Sequence, residues 1–157
     1  MITTGIGYDR HAFAKGRRLV LGGIEIAHDR GLLGHSDADV LTHAVIDALL
    51  GAAALGDIGQ HFPDTDERYR GADSLGLLRA AVGLLAEQGL TVVHVDATVM
   101  IERPALSPHR HQMRQALAGA IGIEVERVNV KATRGEGMGF VGREEGAAAL
   151  AIATVSR

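Results

Sequence analysis

The sequence predicts one domain of the α/β (α+β) class. Three observations point there. The chain has 157 residues, a length that favours one domain over two and suffices to bury roughly two-thirds of the unfolded surface. Short segments rich in β-branched residues alternate with longer ones whose apolar residues recur at helical spacing. The composition, 46% hydrophobic and 22% charged, is ordinary for a folded soluble protein, and there is no repeat, low-complexity tract or linker. Glycine stands out at 21 residues, well above the usual share, which predicts turns and close backbone approaches.

Thr3 to Tyr8 predicts a glycine-spaced strand running into a turn. Arg18 to Ile26, with Gly22-Gly23 at its middle, predicts two short strands or a hairpin. Gly31 to Asp37 is a polar, glycine-containing loop. Asp39 to Leu55 is the clearest helix, with an apolar stripe of Val40, Leu41, Ala44, Val45, Ala48 and Leu49, capped by Asp37 or Asp39. Gly56 to Arg70 predicts a long polar loop. Ser74 to Gln88 predicts a second helix ended by Gly89. Leu90 to Ile101 alternates around Val93, Val95 and Ala97 and predicts a strand. Ser107 and Pro108 open a third helix that runs to Gly122. Val125 to Thr133 is a strand, Arg134 to Gly146 a glycine-rich loop, and Ala147 to Val155 a last strand. That strand is apolar at nearly every position, which predicts cover on both faces and hints at an oligomer.

Charge and composition exclude several functions. The net charge is −3, aromatic residues are 3% and tryptophan is absent, so nucleic acid and anionic membranes are poor partners. The first residues lack a basic region followed by an apolar stretch, and Ala44–Leu55 and Ala147–Val155 are too short or interrupted to span a bilayer. A cytoplasmic location is the expectation. Cysteine is absent, which removes disulfides and thiolate nucleophiles and restricts transition-metal ligands to His, Asp and Glu.

Four segments can carry chemistry. Asp9 and His11 sit at i and i+2, so a strand points both to one side, spaced to hold a metal; the alternative is two unrelated surface residues. His35-Ser36-Asp37-Ala38-Asp39 leads to His43, placed on the helix flank opposite the stripe. Asp39 and Asp47 lie four residues either side of it, where an aspartate can orient a ligating imidazole; the alternative is capping and a solvated flank. Asp57-Ile58-Gly59 and Phe62 to Asp66 form an acidic loop that can grip polyol hydroxyls or orient a phosphate through amides; the alternative is an Asx-rich turn. Lys131 to Arg143 is a glycine-rich, partly basic loop able to cradle phosphate, with Glu136 suited to a hard cation. It lacks P-loop spacing, and its alternative is a flexible hairpin.

Together, GIGYDRHAF, GLLGHSDADVLTHAVIDALLGAAALGDIGQHFPDTD and NVKATRGEGMGFVGREEG resemble the 2-C-methyl-D-erythritol 2,4-cyclodiphosphate synthase family over nearly the whole chain. The resemblance implies a mixed β-sheet with helices packed on one face, three such sheets meeting around a homotrimer axis. It implies zinc on Asp9, His11 and His43, with Asp9 and His11 also close to substrate, and His35 and Ser36 on the substrate's phosphates. It implies methylerythritol contacts from Asp57, Ile58, Gly59, Phe62, Pro63, Asp64, Thr65 and Asp66. The cytidine pocket between subunits is implied to be walled by Ile101, Glu102, Arg103, Pro104, Ala105, Leu106 and Ser107 with Ala132, Thr133, Arg134, Gly135 and Glu136. Glu136 is the implied ligand of a magnesium or manganese ion, and Phe140 and Arg143 are further ligand contacts. The implied catalytic residues are His35 and, in the stabilising position, Thr133 or Arg134.

Three departures from the family pattern stand out. Thr133-Arg134-Gly135-Glu136 replaces the usual Thr-Thr-x-Glu, Ala105 replaces the lysine that usually follows Pro104, and Ala38 replaces a glycine. The last matters only if that position needs φ > 0.

The reaction implied is attack of the 2-phosphate of 4-diphosphocytidyl-2-C-methyl-D-erythritol 2-phosphate on its own β-phosphate, expelling CMP. Such chemistry asks a protein for positioning and charge stabilisation rather than a general base. Two rivals use the same residues: a metal-dependent phosphoesterase, which activates water, and a non-enzymatic small-molecule-binding trimer.

Overall fold

The structure is a computed structural model describing residues 1–157. β1 (Ile2–Lys15) is followed by the hairpin β2 (Leu19–Leu21) and β3 (Ile24–Ile26), then β4 (Arg30–Leu32). Next come α1 (Val40–Ala52), the single turn α2 (Ile58–His61), α3 (Ser74–Glu87), β5 (Thr91–Met100) and α4 (Arg110–Ile121). The chain closes with β6 (Val128–Thr133), the turn α5 (Gly139–Gly142) and β7 (Gly146–Ser156). The main sheet has the order β4-β1-β7-β5-β6. It is mixed: β7 is antiparallel to both β1 and β5, while β5 and β6 run parallel. Helices α1, α3 and α4 pack on one face of it and enclose a single core of 36 buried residues.

The packing of α1 on β1 rests on missing side chains. Thr3, Gly5, Gly7, Asp9 and His11 alternate onto the helix-facing side of β1. A Cβ on Gly7 would stand 1.9 Å from the Ala44 carbonyl oxygen, and one on Gly5 would stand 2.1 Å from that of Ala48. Only glycine admits backbone that close. Thr3 fastens the far end of the helix by donating to the Ala52 carbonyl at 2.8 Å. The near end is fastened by Asp39, which is fully buried. Its carboxylate accepts from the amides of Gly22, Gly23 and Thr42 and the hydroxyls of Thr42 and Ser74. One side chain thus caps α1 and ties the β2–β3 turn and the start of α3 to it.

Several expectations are met and several corrected. The Gly22-Gly23 hairpin forms, and α3 ends with Gly89 at φ 69° while the Leu90 amide returns to the Leu85 carbonyl at 3.0 Å, a Schellman closure. β1 runs on to Lys15 because β7 and then β4 pair with it. Gly31 and Leu32 belong to β4, and Ile58–His61 and Gly139–Gly142 coil into single turns inside the expected loops. The α1 stripe is too narrow a description: Ile46 and Leu50 are buried as well, because the chain after α1 folds back over its outer side. Val93 falls out of phase with Val95 at a bulge between Val92 and His94. Ser107 makes no capping bond, Ser107–His109 being a 3₁₀ turn, and β6 begins only at Val128. Ala38 does adopt φ 57°, so the usual glycine would relieve strain there, at the loss of a fully buried methyl group.

The last strand is covered by the chain on one face and on the other only at its start, where Ala148 is fully buried. Ala147, Ala149, Ala151, Ala153 and Val155 are buried under the helices. On the other side Leu150 is 39% and Ile152 45% exposed. Ile152 pairs across to Ile6, 65% exposed, and Leu150 to Tyr8, 45% exposed. The strand alternates after all; both of its faces are apolar, which hid the period.

We expect Gly7→Ala to lower stability by about 3 kcal/mol through overpacking against α1. For a chain of this length that is a fall of roughly 6–12 °C in Tm, read by thermal unfolding. Gly83→Ala, on the exposed side of α3 with nothing near its Cβ position, serves as the contrast and should stabilise by about 0.5–1 kcal/mol.

Candidate metal centre and its clefts

Beyond the two glycines the helix-facing side of β1 carries Asp9 and His11, and α1 begins. His43 lies in the first turn of α1 and is buried. One ligand atom from each of Asp9, His11 and His43 falls within 4.8 Å of the others. Asp9 Oδ2 is 3.1 Å from His43 Nδ1 and 3.3 Å from His11 Nε2. The second nitrogen of each ring is engaged elsewhere. His11 Nδ1 lies 2.8 Å from the Leu33 carbonyl oxygen, which can only accept, so that nitrogen carries a proton and leaves Nε2 as the atom turned toward Asp9. His43 Nε2 is 3.3 Å from Ser36 Oγ and 3.8 Å from Asp37 Oδ1.

Two imidazole nitrogens and a carboxylate oxygen therefore converge within reach of one cation. Burial pushes the Asp9 carboxyl up, but hydrogen bonds from His11 and His43 and their charge outweigh it and bring it to about 2. Burial pushes His43 down, and Asp9, with the charges of Asp39 and Asp37, more than reverses this, so His43 is raised. An ionised carboxylate that draws positive charge to itself and to its imidazole neighbours suits a divalent cation. Three protein ligands of this kind, with orienting outer partners, match a metal site that keeps a coordination position open.

The orienting aspartate is not the one expected. Asp39 is spent on capping, and Asp47 accepts the Ile58 amide at 2.7 Å. Asp37 and Ser36 face His43 instead. Burial, followed by the charge of Asp39, raises the Asp37 carboxyl above its ordinary value.

A cleft of about 390 Å³ opens beside the three ligands. His35, Ser36, Ile58, Gly59, Phe62 and Asp64 of the expected set line it, along with Asp9, His11 and His43. Gly34, Asp47, Tyr69 and Leu77 also line it and were not anticipated. Asp47 was legible as a cleft residue from its helical spacing to His43. Tyr69 and Leu77 carry no local signal. Asp57, Pro63, Thr65 and Asp66 do not line the cleft. Asp57 caps α2 through the Gln60 amide, and Asp66 caps the turn at Glu67–Tyr69 and pairs with Arg68 at 2.6 Å.

The other expected walls gather separately. Ile101, Pro104, Ala105, Leu106, Ser107, Ala132, Thr133 and Arg134 line a cleft of about 170 Å³. Glu102 and Gly135 of the expected walls do not line it; the Glu102 carboxylate accepts from the Gly135 amide at 2.7 Å. Arg103 instead turns to Glu144, at 2.6 Å. Glu136 is exposed at φ 54° and stands apart from the three-residue cluster. Phe140 lines a third cleft, of about 350 Å³, with Arg10, His11 and Ala12, and Arg143 pairs with Glu145 at 2.8 Å. No helix is long and apolar enough to cross a membrane.

The mixed sheet, its one-sided helices and a His–His–Asp cluster beside a polar cleft define an α/β protein with a candidate metal site. A family model, the YgbB family, matches residues 2–156. A bifunctional enzyme IspD/IspF of Anaeromyxobacter dehalogenans is 60% identical over 156 residues, covering 99% of this chain and 40% of that relative. A 2-C-methyl-D-erythritol 2,4-cyclodiphosphate synthase of Alkaliphilus metalliredigens is 56% identical over 153 residues, covering 98% of this chain and 96% of the relative. A solved 2C-methyl-D-erythritol-2,4-cyclodiphosphate synthase in a CDP-bound form superposes with a TM-score of 0.89 at 35% identity, over 98% of this chain and 99% of that one. The chain belongs to the YgbB family, that of the 2-C-methyl-D-erythritol 2,4-cyclodiphosphate synthases, and is an enzyme of isoprenoid biosynthesis.

His43→Ala should abolish stoichiometric divalent-metal binding while preserving the circular dichroism spectrum, because the ring sits at the cleft edge of α1 rather than in the core. Full metal occupancy in that variant, read by elemental analysis, would contradict the assignment.

Proposed function

We propose that residues 1–157 form a single cyclodiphosphate synthase domain that converts 4-diphosphocytidyl-2-C-methyl-D-erythritol 2-phosphate to 2-C-methyl-D-erythritol 2,4-cyclodiphosphate and CMP. An oxygen of the 2-phosphate forms a bond to the β-phosphorus. The bond from that phosphorus to the oxygen it shares with the α-phosphate breaks, and CMP departs with the electron pair. The observation that carries this function is the convergence of Asp9, His11 and His43 beside a cleft lined by His35, Ser36, Ile58 and Gly59.

The protein's part is to hold two anions together and aim charge at the reacting phosphorus. Asp9, His11 and His43 would hold zinc, which when bound would supply Lewis-acid polarisation of a phosphoryl oxygen. His35 and Ser36 orient phosphate from the loop above the ligands. Asp57, Ile58, Gly59 and Phe62 to Asp66 bind the methylerythritol. Ile101 to Ser107 and Ala132 to Glu136 hold the cytidine of a substrate whose polyol lies on a neighbouring subunit, with Phe140 and Arg143 as further contacts. The CDP-bound relative supports this nucleotide assignment. Glu136 is a lone exposed carboxylate, which suits magnesium or manganese completed by substrate phosphates. No residue needs to act as general base, since the nucleophile is already anionic.

The assembly is a homotrimer. Its motive is the uncovered apolar face where Ile6 and Tyr8 pair across to Ile152 and Leu150, a contiguous patch of the kind that marks an association surface. The location is cytoplasmic.

Purified protein should carry one zinc per chain and release CMP and cyclodiphosphate in equal amounts. Excess non-cyclised phosphate product would favour the phosphoesterase, and no turnover the binding protein. Light scattering should give three chains per particle; a stable, active monomer would contradict it. In the altered Thr133-Arg134 pair, Arg offers a permanent forked donor where relatives of the usual pattern carry one hydroxyl. Arg134→Ala should slow CMP release about tenfold, roughly 1.4 kcal/mol of transition-state stabilisation, with partial recovery in Arg134→Thr. An unchanged rate there, with a collapse in Thr133→Ala, would assign the contact to Thr133.

A further inference from the structure

Arg17 lies in none of the motifs, yet it holds the segment from which three groups of the metal centre and cleft are presented. Its half-buried guanidinium donates only to backbone. Nε bonds the Leu32 carbonyl at 3.0 Å, and Nη2 bonds those of Gly34 at 3.2 Å and Ser36 at 2.9 Å. These carbonyls alternate along one short stretch. Between them come Leu33, whose own carbonyl faces His11 Nδ1, and His35, which lines the cleft. Ser36 itself bridges to His43 Nε2. The stretch has little regular structure after β4 ends at Leu32. Its other fastenings are the Leu33 amide on the Ala12 carbonyl at 2.8 Å, the Gly71 amide on the His35 carbonyl at 2.9 Å, and His35 Nε2 beside the Asp66 carbonyl at 3.1 Å.

We infer that Arg17 is a positioning residue for the reaction: it clamps the 32–36 turn so that the Leu33 carbonyl orients His11 for metal while His35 and Ser36 are held over the cleft. A planar fork with several fixed donors can bridge successive carbonyls, whereas an ammonium offers a compact point charge on a flexible stem. Outer partners of a ligating histidine typically alter metal affinity by about 10–100-fold when lost. A turn displaced by a fraction of an ångström is also enough to cost rate where positioning dominates.

The inference rests on the cyclodiphosphate synthase function proposed above and is tested apart from it. Wild-type enzyme is assayed first; absence of CMP release there would defeat the proposed function, and the zinc measurement would still judge Arg17. In Arg17→Ala, zinc affinity measured by competition with a chromophoric chelator should fall about tenfold. At saturating zinc kcat should fall at least about tenfold, with KM changing by much less. Millimolar ethylguanidinium should restore part of both, which a merely destabilised fold would not permit. If Arg17→Ala does not fold, Arg17→Lys carries the test: a folded protein with weakened zinc and reduced kcat supports the clamp. Wild-type zinc affinity and kcat in either folded variant would overturn it.

Discussion

The metal centre depends on how closely α1 approaches β1. Gly5 and Gly7 leave no side chain between strand and helix, so the helix backbone sits directly on the sheet. The same strand face, two residues further on, presents Asp9, and the same helix, in its first turn, presents His43. Their separation of 3.1 Å is thus set by a contact made of backbone alone. A methyl group at Gly7 would press on the carbonyl of Ala44, the residue next to His43. Stability and ligand geometry share this one constraint, which ties the core to the chemistry.

Around that contact the protein uses polar side chains as ties. Asp39 gathers the cap of α1, the β2–β3 turn and the start of α3 onto one carboxylate. Arg17 gathers the turn after β4. Asp47 links α1 to the turn at Ile58. Each is a buried or half-buried ionisable group whose partners lie far away in sequence. Such groups are expensive to bury alone and specific when satisfied. They explain why a cleft whose walls include several loops can still hold its ligands in register.

The open face of the sheet serves a different purpose. Its apolar residues, Ile6 and Tyr8 on β1 and Leu150 and Ile152 on β7, are paired across the strands and left uncovered by the chain's own helices. The cleft at Ile101–Ser107 and the cleft beside Asp9, His11 and His43 are separate pockets in one chain.

Much of this was legible in the residues. The Asp-x-His pair, the His43 helix and the Gly22-Gly23 hairpin follow from period, spacing and turn chemistry, since these are local rules acting over a few residues. The αL backbone at Ala38 was foreseeable only as a question, because nothing local says which turn the loop makes. Short turns such as Ile58–His61 escaped because they are too brief for a periodic signal. The alternation of β7 was masked because alanine and isoleucine are both apolar, and only burial distinguishes the covered face from the open one. By itself the sequence determined which side chains are available as ligands and which strand or helix carries each. The tertiary structure decided that Asp37 rather than Asp39 or Asp47 faces His43, that Tyr69 and Leu77 complete the cleft, and that Arg17 reaches the 32–36 turn. Those are contacts between segments distant along the chain, selected by the packing of α1 on β1 and not by any local preference.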